Sequence, residues 1–358
     1  MKSKSGLAAT SGFAVSKKPL FGHFDMAFRT QYAEVKDRAR FAGKLLPGSA
    51  GSLALRAGMA GGPFWYRVYN PVPNVQKEDY VCGPDDTPTL EAMRQQIEFQ
   101  RWMGKAVSTM HTLGFQVASK EVARVLVELH NRGAFEAGLT LVGTLGYMAW
   151  LNEFGVRAIA SRTLDIDVAR RQHLKLAVPL DFMATMKATG LPFVEVPGMP
   201  SSAASTSVKL PGREGLRVDV LAPHHRLGAA VKIPELSWSA QGIPFYAYLL
   251  EDVLPGAMLA GLHCVPVRLP QPTRLVWHKL YASRQRRHTD AAKSQKDEQQ
   301  AKVLAAVLLA DNPDEFIESA QAIPQGMRKS IREALKKWAA DENIPLPMKH
   351  SLDQISLT

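Results

Sequence analysis

An α/β fold is predicted from three stretches of the chain. Leu139-Thr140-Leu141-Val142-Gly143-Thr144 is an apolar run that ends in Gly-Thr and leads into a helix-like segment. Arg162-Thr163-Leu164-Asp165-Ile166-Asp167-Val168 alternates acidic and apolar residues, the period-2 pattern of a strand. Leu216-Arg217-Val218-Asp219-Val220-Leu221 repeats that alternation around a single acid. On a strand, Asp165 and Asp167 share one face, and Leu164, Ile166 and Val168 point to the other. Two acids on one face repel each other unless a cation lies between them. That arrangement suits Mg²⁺ (or Mn²⁺), which takes one or two carboxylates together with substrate phosphates.

The remaining elements follow in chain order. Met1 to Pro19 is basic and rich in small residues, lacks a secretory apolar core, and reads as a disordered tail over 1–19. Residues 20–46 carry apolar positions at helical spacing and end at Pro47-Gly48. Phe64 to Tyr69 and Lys77 to Cys82 flank the turn-forming Asn70-Pro71-Val72-Pro73-Asn74, predicting an aromatic hairpin. A helix from Thr89 to Gly104 follows, and together these form an N-terminal module over 20–115. Its aromatics either stack on bases or pack on that helix.

A central unit is expected over 119–272. An amphipathic helix over 119–135 precedes the Gly-Thr strand, and a second helix runs from Thr144 to Phe154, stopped by Gly155. After the Asp-x-Asp strand a helical pattern spans 174–190, followed by a Ser/Ala-rich loop from Ser201 to Ser207. The Asp219 strand closes at Pro223, and His224-His225-Arg226 reads as polar loop. Residues 244–254 are apolar and helical. Cys264 to Pro270 is a short strand whose Pro266 suggests an edge or a bulge. From 273 to 358 the chain is helical, with Asn312-Pro313 starting one helix and Pro324 separating it from another over 325–340.

Composition narrows the function classes. Of 358 residues, 46% are hydrophobic and 22% charged, values of an ordinary globular protein. No apolar run approaches the roughly 18 residues of a membrane span. Cys82 and Cys264 are too few and too far apart for a disulfide framework or a zinc site, so a reducing cytoplasm is expected. The formal charge is +11, and residues 274–310 hold eight Lys/Arg against three Asp/Glu. That segment is either the footprint of a polyanionic partner, such as a triphosphate or nucleic acid, or a solvated helix face.

Strand–Gly-Thr–helix, then Asp-x-Asp, then a lone Asp on a later strand resembles the nucleotidyltransferase fold of DNA polymerase beta and its relatives. In that fold a small mixed sheet backed by helices carries the acids. The resemblance extends to Ala60-Gly61-Gly62-Pro63-Phe64-Trp65-Tyr66-Arg67, the Gly83-Pro84 turn, Val265-Pro266-Val267-Arg268, His278-Lys279-Leu280, Arg284-Gln285-Arg286-Arg287 and Lys296-Asp297. These segments are similar to a bacterial nucleotidyltransferase group and cover about residues 50–310. From Thr144 to Asp165 is 21 residues, longer than in compact members. Abortive-infection type nucleotidyltransferases have similarly stretched segments, with Arg and Ser/Thr before the first acid, as Arg162-Thr163 here.

The resemblance implies metal-dependent transfer of a nucleoside monophosphate from an NTP. Asp165, Asp167 and Asp219 would be catalytic and hold the metal. Gly143, lacking a side chain, would let backbone approach the triphosphate, and Thr144 would bind phosphate at a helix start. Lys279 would meet the triphosphate, joined by Arg284 and Arg162, with Lys296 a further candidate. The acceptor stays open between RNA, including a tRNA end, a protein hydroxyl and a small molecule. The setting stays open too, toxin–antitoxin or phage defence among others. The rival is a non-catalytic module binding nucleic acid or protein on the same fold. Neither a membrane partner nor an oligomeric state is indicated.

Overall fold

The computed structural model describes residues 19–57, 62–72, 74–159 and 163–357. The expected tail up to residue 18 and Arg162 lie outside the described residues.

The N-terminal part begins with β1 (Gly22–His23) and α1 (Met26–Phe41), which buries Tyr32, Val35 and Ala39 along one face. The expected hairpin is present as β3 (Pro63–Val72) and β4 (Val75–Cys82), and an additional strand, β2 (Ser52–Ala57), pairs with β3 to make a three-stranded antiparallel meander. β2 escaped the sequence reading because it is an edge strand with little burial, so no apolar alternation marks it. α2 (Thr87–Leu113) runs past Gly104, where a helix end was expected, because Met103, Val107 and Met110 are fully buried and hold the helix together across the glycine.

The central part starts with α3 (Lys120–Asn131), capped by Ser119, whose Oγ accepts from Val122 N at 3.3 Å. Next come β5 (Thr140–Leu141), α4 (Gly143–Glu153), β6 (Val156–Arg157) and β7 (Asp165–Ala169). The helix expected over 174–190 is reduced to α5 (Phe182–Ala188). The donors of the preceding segment go elsewhere: Leu174 N to the Glu235 carboxylate at 3.0 Å and Lys175 N to Ala137 O at 2.9 Å. β8 (Val194–Glu195), β9 (Ser207–Lys209), β10 (Arg217–Pro223), β11 (Ala230–Ile233) and β12 (Trp238–Ile243) complete the main sheet.

Its strand order is β11-β12-β10-β7-β5, with β8 and β9 joined beside β10. β10 runs parallel to β7 and β12, and the other pairings are antiparallel, so the sheet is mixed. Ile166, Val168, Val218 and Val220 are fully buried on one face. Leu164 departs from the expectation: it precedes the strand and is 50% exposed.

Of the apolar stretch 244–254 only α6 (Tyr246–Leu249) is helical, and β13 (Leu254–Ala260) pairs with β14 (His263–Leu269) in a two-stranded ribbon. Such a ribbon tolerates Pro266, which has no N–H to donate. The C-terminal part is helical as expected: α7 (Pro272–Arg286), α8 (Ala291–Asp311), α9 (Pro313–Ser319), α10 (Gln325–Ala340) and α11 (Leu346–Asp353). Asn312 caps α9, accepting from Glu315 N at 3.3 Å. Among the described residues no helix is long and apolar enough to cross a membrane, and both cysteines are free and buried.

Candidate active site

Parallel pairing of β7 and β10 sets the acids. Arg217 lies opposite Asp165, and Asp219 lies opposite Asp167. In-register residues of neighbouring strands point to the same face, so all three carboxylates share the face opposite Ile166 and Val220. Thr163 steadies the entry to β7 by accepting from Asp165 N at 3.1 Å.

Asp167 is the centre of this face. Burial, then the neighbouring Asp219 and Asp165 carboxylates, push its pKa up to about 7, against the opposing pull of Lys279 and Arg286. Gly143 begins α4 directly against it. A Cβ at Gly143 would fall 2.0 Å from Asp167 Oδ2, and its φ is +65°. The Val142 N–H also donates to Asp167 O at 3.0 Å. The first turn of α4, packed against Asp167 through Gly143, has no side-chain cap and contains no acid, and Thr144 in it is buried.

Opposite stand α7 and the start of α8. At about 100° per residue, the seven-residue step from Lys279 to Arg286 returns to one helix face, while the five-residue step to Arg284 lands about 140° away. Lys279 and Arg286 accordingly converge on Asp297 of α8, with Lys279 Nζ 3.0 Å from Oδ1 and Arg286 Nη1 on Oδ2. Burial tends to raise the Asp297 carboxyl, but Lys279 and Arg286 outweigh it and bring the pKa below the usual range. Burial lowers the Lys296 ammonium, and Lys279 lowers it further. Lys293 Nζ reaches 3.9 Å from Asp165 Oδ2. Tyr246, buried and edge-on to His278 at 5.0 Å, has its hydroxyl pKa raised by burial first and by Asp167 next.

The structure thus brings Gly143, Asp165, Asp219 and Lys279 close to Asp167, with Thr144 next to Gly143 in the chain. Lys279 is only 4% exposed and already bound to Asp297, and Arg284 turns away to Glu333 at 3.1 Å. Sequence reading had Arg286 only within the basic segment and Asp297 only within a motif, and gave neither a place beside the acids, although the seven-residue spacing from Lys279 was visible. It also passed over Ser207 and Arg217, whose role depends on strand pairing. The cavity of about 520 Å³ between α1 and α2, lined by Phe41, Leu46, Phe99 and Gln100, contains none of these residues.

Removing Asp297 is expected to leave a buried lysine without its counter-ion. Asp297→Ala should cost about 3–5 kcal/mol in urea unfolding, the range for breaking one side of a buried pair. A change below about 1 kcal/mol would mean that Lys279 reaches solvent readily.

Asp165, Asp167 and Asp219 were expected to hold a metal ion. Among the described residues no three His, Cys, Asp or Glu side chains converge as a metal-holding group. Asp219 lies beside Asp167 as expected, but its Oδ1 is taken by Arg217 and Ser207. The donors nonetheless fit Mg²⁺ or Mn²⁺. Asp167 is a carboxylate crowded by two others and lacking a hydrogen-bonded cation of its own among the described residues, and such ions accept one or two carboxylates plus phosphate oxygens.

Comparison with known proteins adds one finding. A family model described as nucleotidyltransferase matches residues 120–324, more than half of the chain, from the start of α3 to the turn before α10. No curated protein and no solved structure matches the chain.

Proposed function

The chain belongs to this nucleotidyltransferase family, and from that premise we propose that it transfers a nucleoside monophosphate from an NTP to an acceptor hydroxyl in a reaction that depends on a divalent metal. The observation that carries the reading is the pairing of Asp219 with Asp167, with the Gly143 helix start packed against the latter. Asp165 and Asp167 would hold the cation, with Asp219 beside them. When bound there, the cation offsets phosphate charge and stabilises the attacking and leaving oxygens.

The chain's own groups do the rest. Backbone N–H groups at the start of α4 and the Thr144 hydroxyl bind phosphate oxygens, as a helix N-terminus does for anions. Arg286, 46% exposed and oriented by Asp297, meets the triphosphate from the opposite wall. Lys279, buried behind it, supplies positive charge without direct contact and fixes Asp297. Arg284 takes no part in nucleotide binding in this reading, since it pairs with Glu333. The acceptor oxygen forms a bond to the α-phosphorus as the bond to the leaving pyrophosphate breaks, and the hydroxyl proton passes to solvent.

The cations of the α7–α8 turn, Arg286, Arg287 and Lys293, favour RNA as the acceptor. A toxin–antitoxin or phage-defence setting is compatible with that acceptor and is part of the proposal. The basic segment of α7 and α8 also supports a second reading, a binding module without chemistry. Incubation with α-labelled NTPs, Mg²⁺ and total RNA or cell extract separates the two. Label transferred to a macromolecule supports the enzyme; tight RNA binding without transfer from any NTP supports the module.

Thr144→Ala tests the phosphate contact. One hydrogen bond to a charged group is worth about 1.5–3 kcal/mol, so calorimetric NTP affinity should fall about 10- to 100-fold with little change in melting temperature. Unchanged affinity would remove Thr144 from the site.

A further inference from the structure

We propose that Ser207 and Arg217 are positioning residues that set the Asp219 carboxylate toward a divalent cation on the acid face. The inference rests on the reading of that face as a cation site.

Strand pairing builds this arrangement. β10 meets β7 along one edge and β9 along the other, and the antiparallel β9 register places Ser207 opposite Asp219. Arg217, two residues earlier on β10, lies on the same face as Asp219. Arg217 Nε donates to Asp219 Oδ1 at 2.7 Å, and the Ser207 hydroxyl donates to the same oxygen. Arg217 Nη2 donates to Ser207 Oγ at 2.7 Å, closing the ring. Ser207 is 1% exposed, so its hydroxyl has no water to exchange with.

Both donors fall on Oδ1, and the ring fixes the side-chain torsion of Asp219. The lone pairs of Oδ2 are left for a further partner. A carboxylate ligand is routinely hydrogen-bonded through its other oxygen, and loss of such a partner typically lowers metal affinity about 10- to 100-fold. The hydroxyl contributes orientation alone. The guanidinium contributes orientation and also places positive charge near the cation. Comparing the two residues therefore separates positioning from competition.

The test is Mn²⁺ binding without nucleotide, followed by the electron paramagnetic resonance signal of the free ion, for the full chain and for Ser207→Ala, Arg217→Met, the double variant and Asp167→Asn. The expected result is loss of affinity in Asp167→Asn and a decrease of about 10-fold or more in each single variant. The double variant should be little worse than either single one, because both donors act on one oxygen. Arg217 is 38% exposed, so Arg217→Met reports even if Ser207→Ala fails to fold. Parent-like affinity in Arg217→Met and Ser207→Ala, with Asp167→Asn still impaired, overturns the positioning role alone. Tighter binding in Arg217→Met overturns it too, by showing that the guanidinium competes with the cation. If the parent binds no Mn²⁺, or Asp167→Asn binds it equally, the cation-site reading falls and the inference with it.

Discussion

Asp167→Asn is expected to reduce nucleotidyl transfer by about three orders of magnitude or more while leaving the fold intact. The substitution keeps the shape and removes the charge at the centre of the acid face, where transition-state charge must be balanced in a water-poor cleft. The same variant has a signature that needs no substrate. Burial, Asp219 and Asp165 hold the Asp167 carboxyl at about 7, whereas an aspartate in an unfolded chain titrates near about 4. Between these values the native protein keeps a proton that the unfolded chain has released. Stability of the ion-free protein therefore falls as pH rises through that window, and the contribution is lost above about 7. Asn has no proton to lose, so melting curves of Asp167→Asn should lack this fall. Added Mg²⁺ should raise the parent's melting temperature near neutral pH more than the variant's. Transfer by Asp167→Asn at the parent's rate would remove Asp167 from the chemistry.

Gly143→Ala should be the next most damaging change. Its Cβ has nowhere to go: it would lie 2.0 Å from Asp167 Oδ2 and 2.9 Å from Cγ, on a backbone with φ +65°. The left-handed conformation alone costs a residue with a Cβ about 1–2 kcal/mol. The clash adds to that and pushes Asp167 off its position; a misplacement of about 1 Å at a reacting centre costs about 100-fold in rate. Gly133→Ala is the control. Gly133 has φ +71° with nothing within 4 Å of its added Cβ, so it suffers the backbone cost without the clash. Both variants should lose stability, and Gly143→Ala alone should lose transfer. Equal activity in the two would show that Asp167 tolerates displacement.

Local pattern made much of the site legible in advance. Alternation along 164–168 and 216–221 exposed both acid strands, because a buried face and a polar face differ residue by residue on a strand. Gly143-Thr144 at the end of an apolar run marked a strand-to-helix turn, and Asn312-Pro313 marked a helix start through its own capping chemistry. Where tertiary partners take the backbone donors, the same reading went wrong. Residues 174–181 carry a helical pattern, yet Glu235 and Ala137 accept the N–H groups of Leu174 and Lys175. β2 left no trace because an exposed edge strand has no buried face to print on the sequence.

By itself the sequence determined which residue types share a face on the two acid strands and on the helices whose period it displays, since those faces repeat every 2 or about 3.6 residues. On that basis Asp165 and Asp167 were one pair, Gly143 a side-chain-free approach, and the 273–358 region helical. Tertiary structure alone decided who meets whom. It aligned Asp219 with Asp167 rather than one residue off, and it brought Ser207 from another strand onto the Asp219 carboxylate with Arg217 beside it. It also buried Lys279 against Asp297, set Arg286 on the same carboxylate, and paired Arg284 with Glu333. The physical reason is that a charged side chain settles by the balance of desolvation against the partners within a few ångström. Those partners come from strands and helices distant in the chain, whose pairing no local spacing encodes.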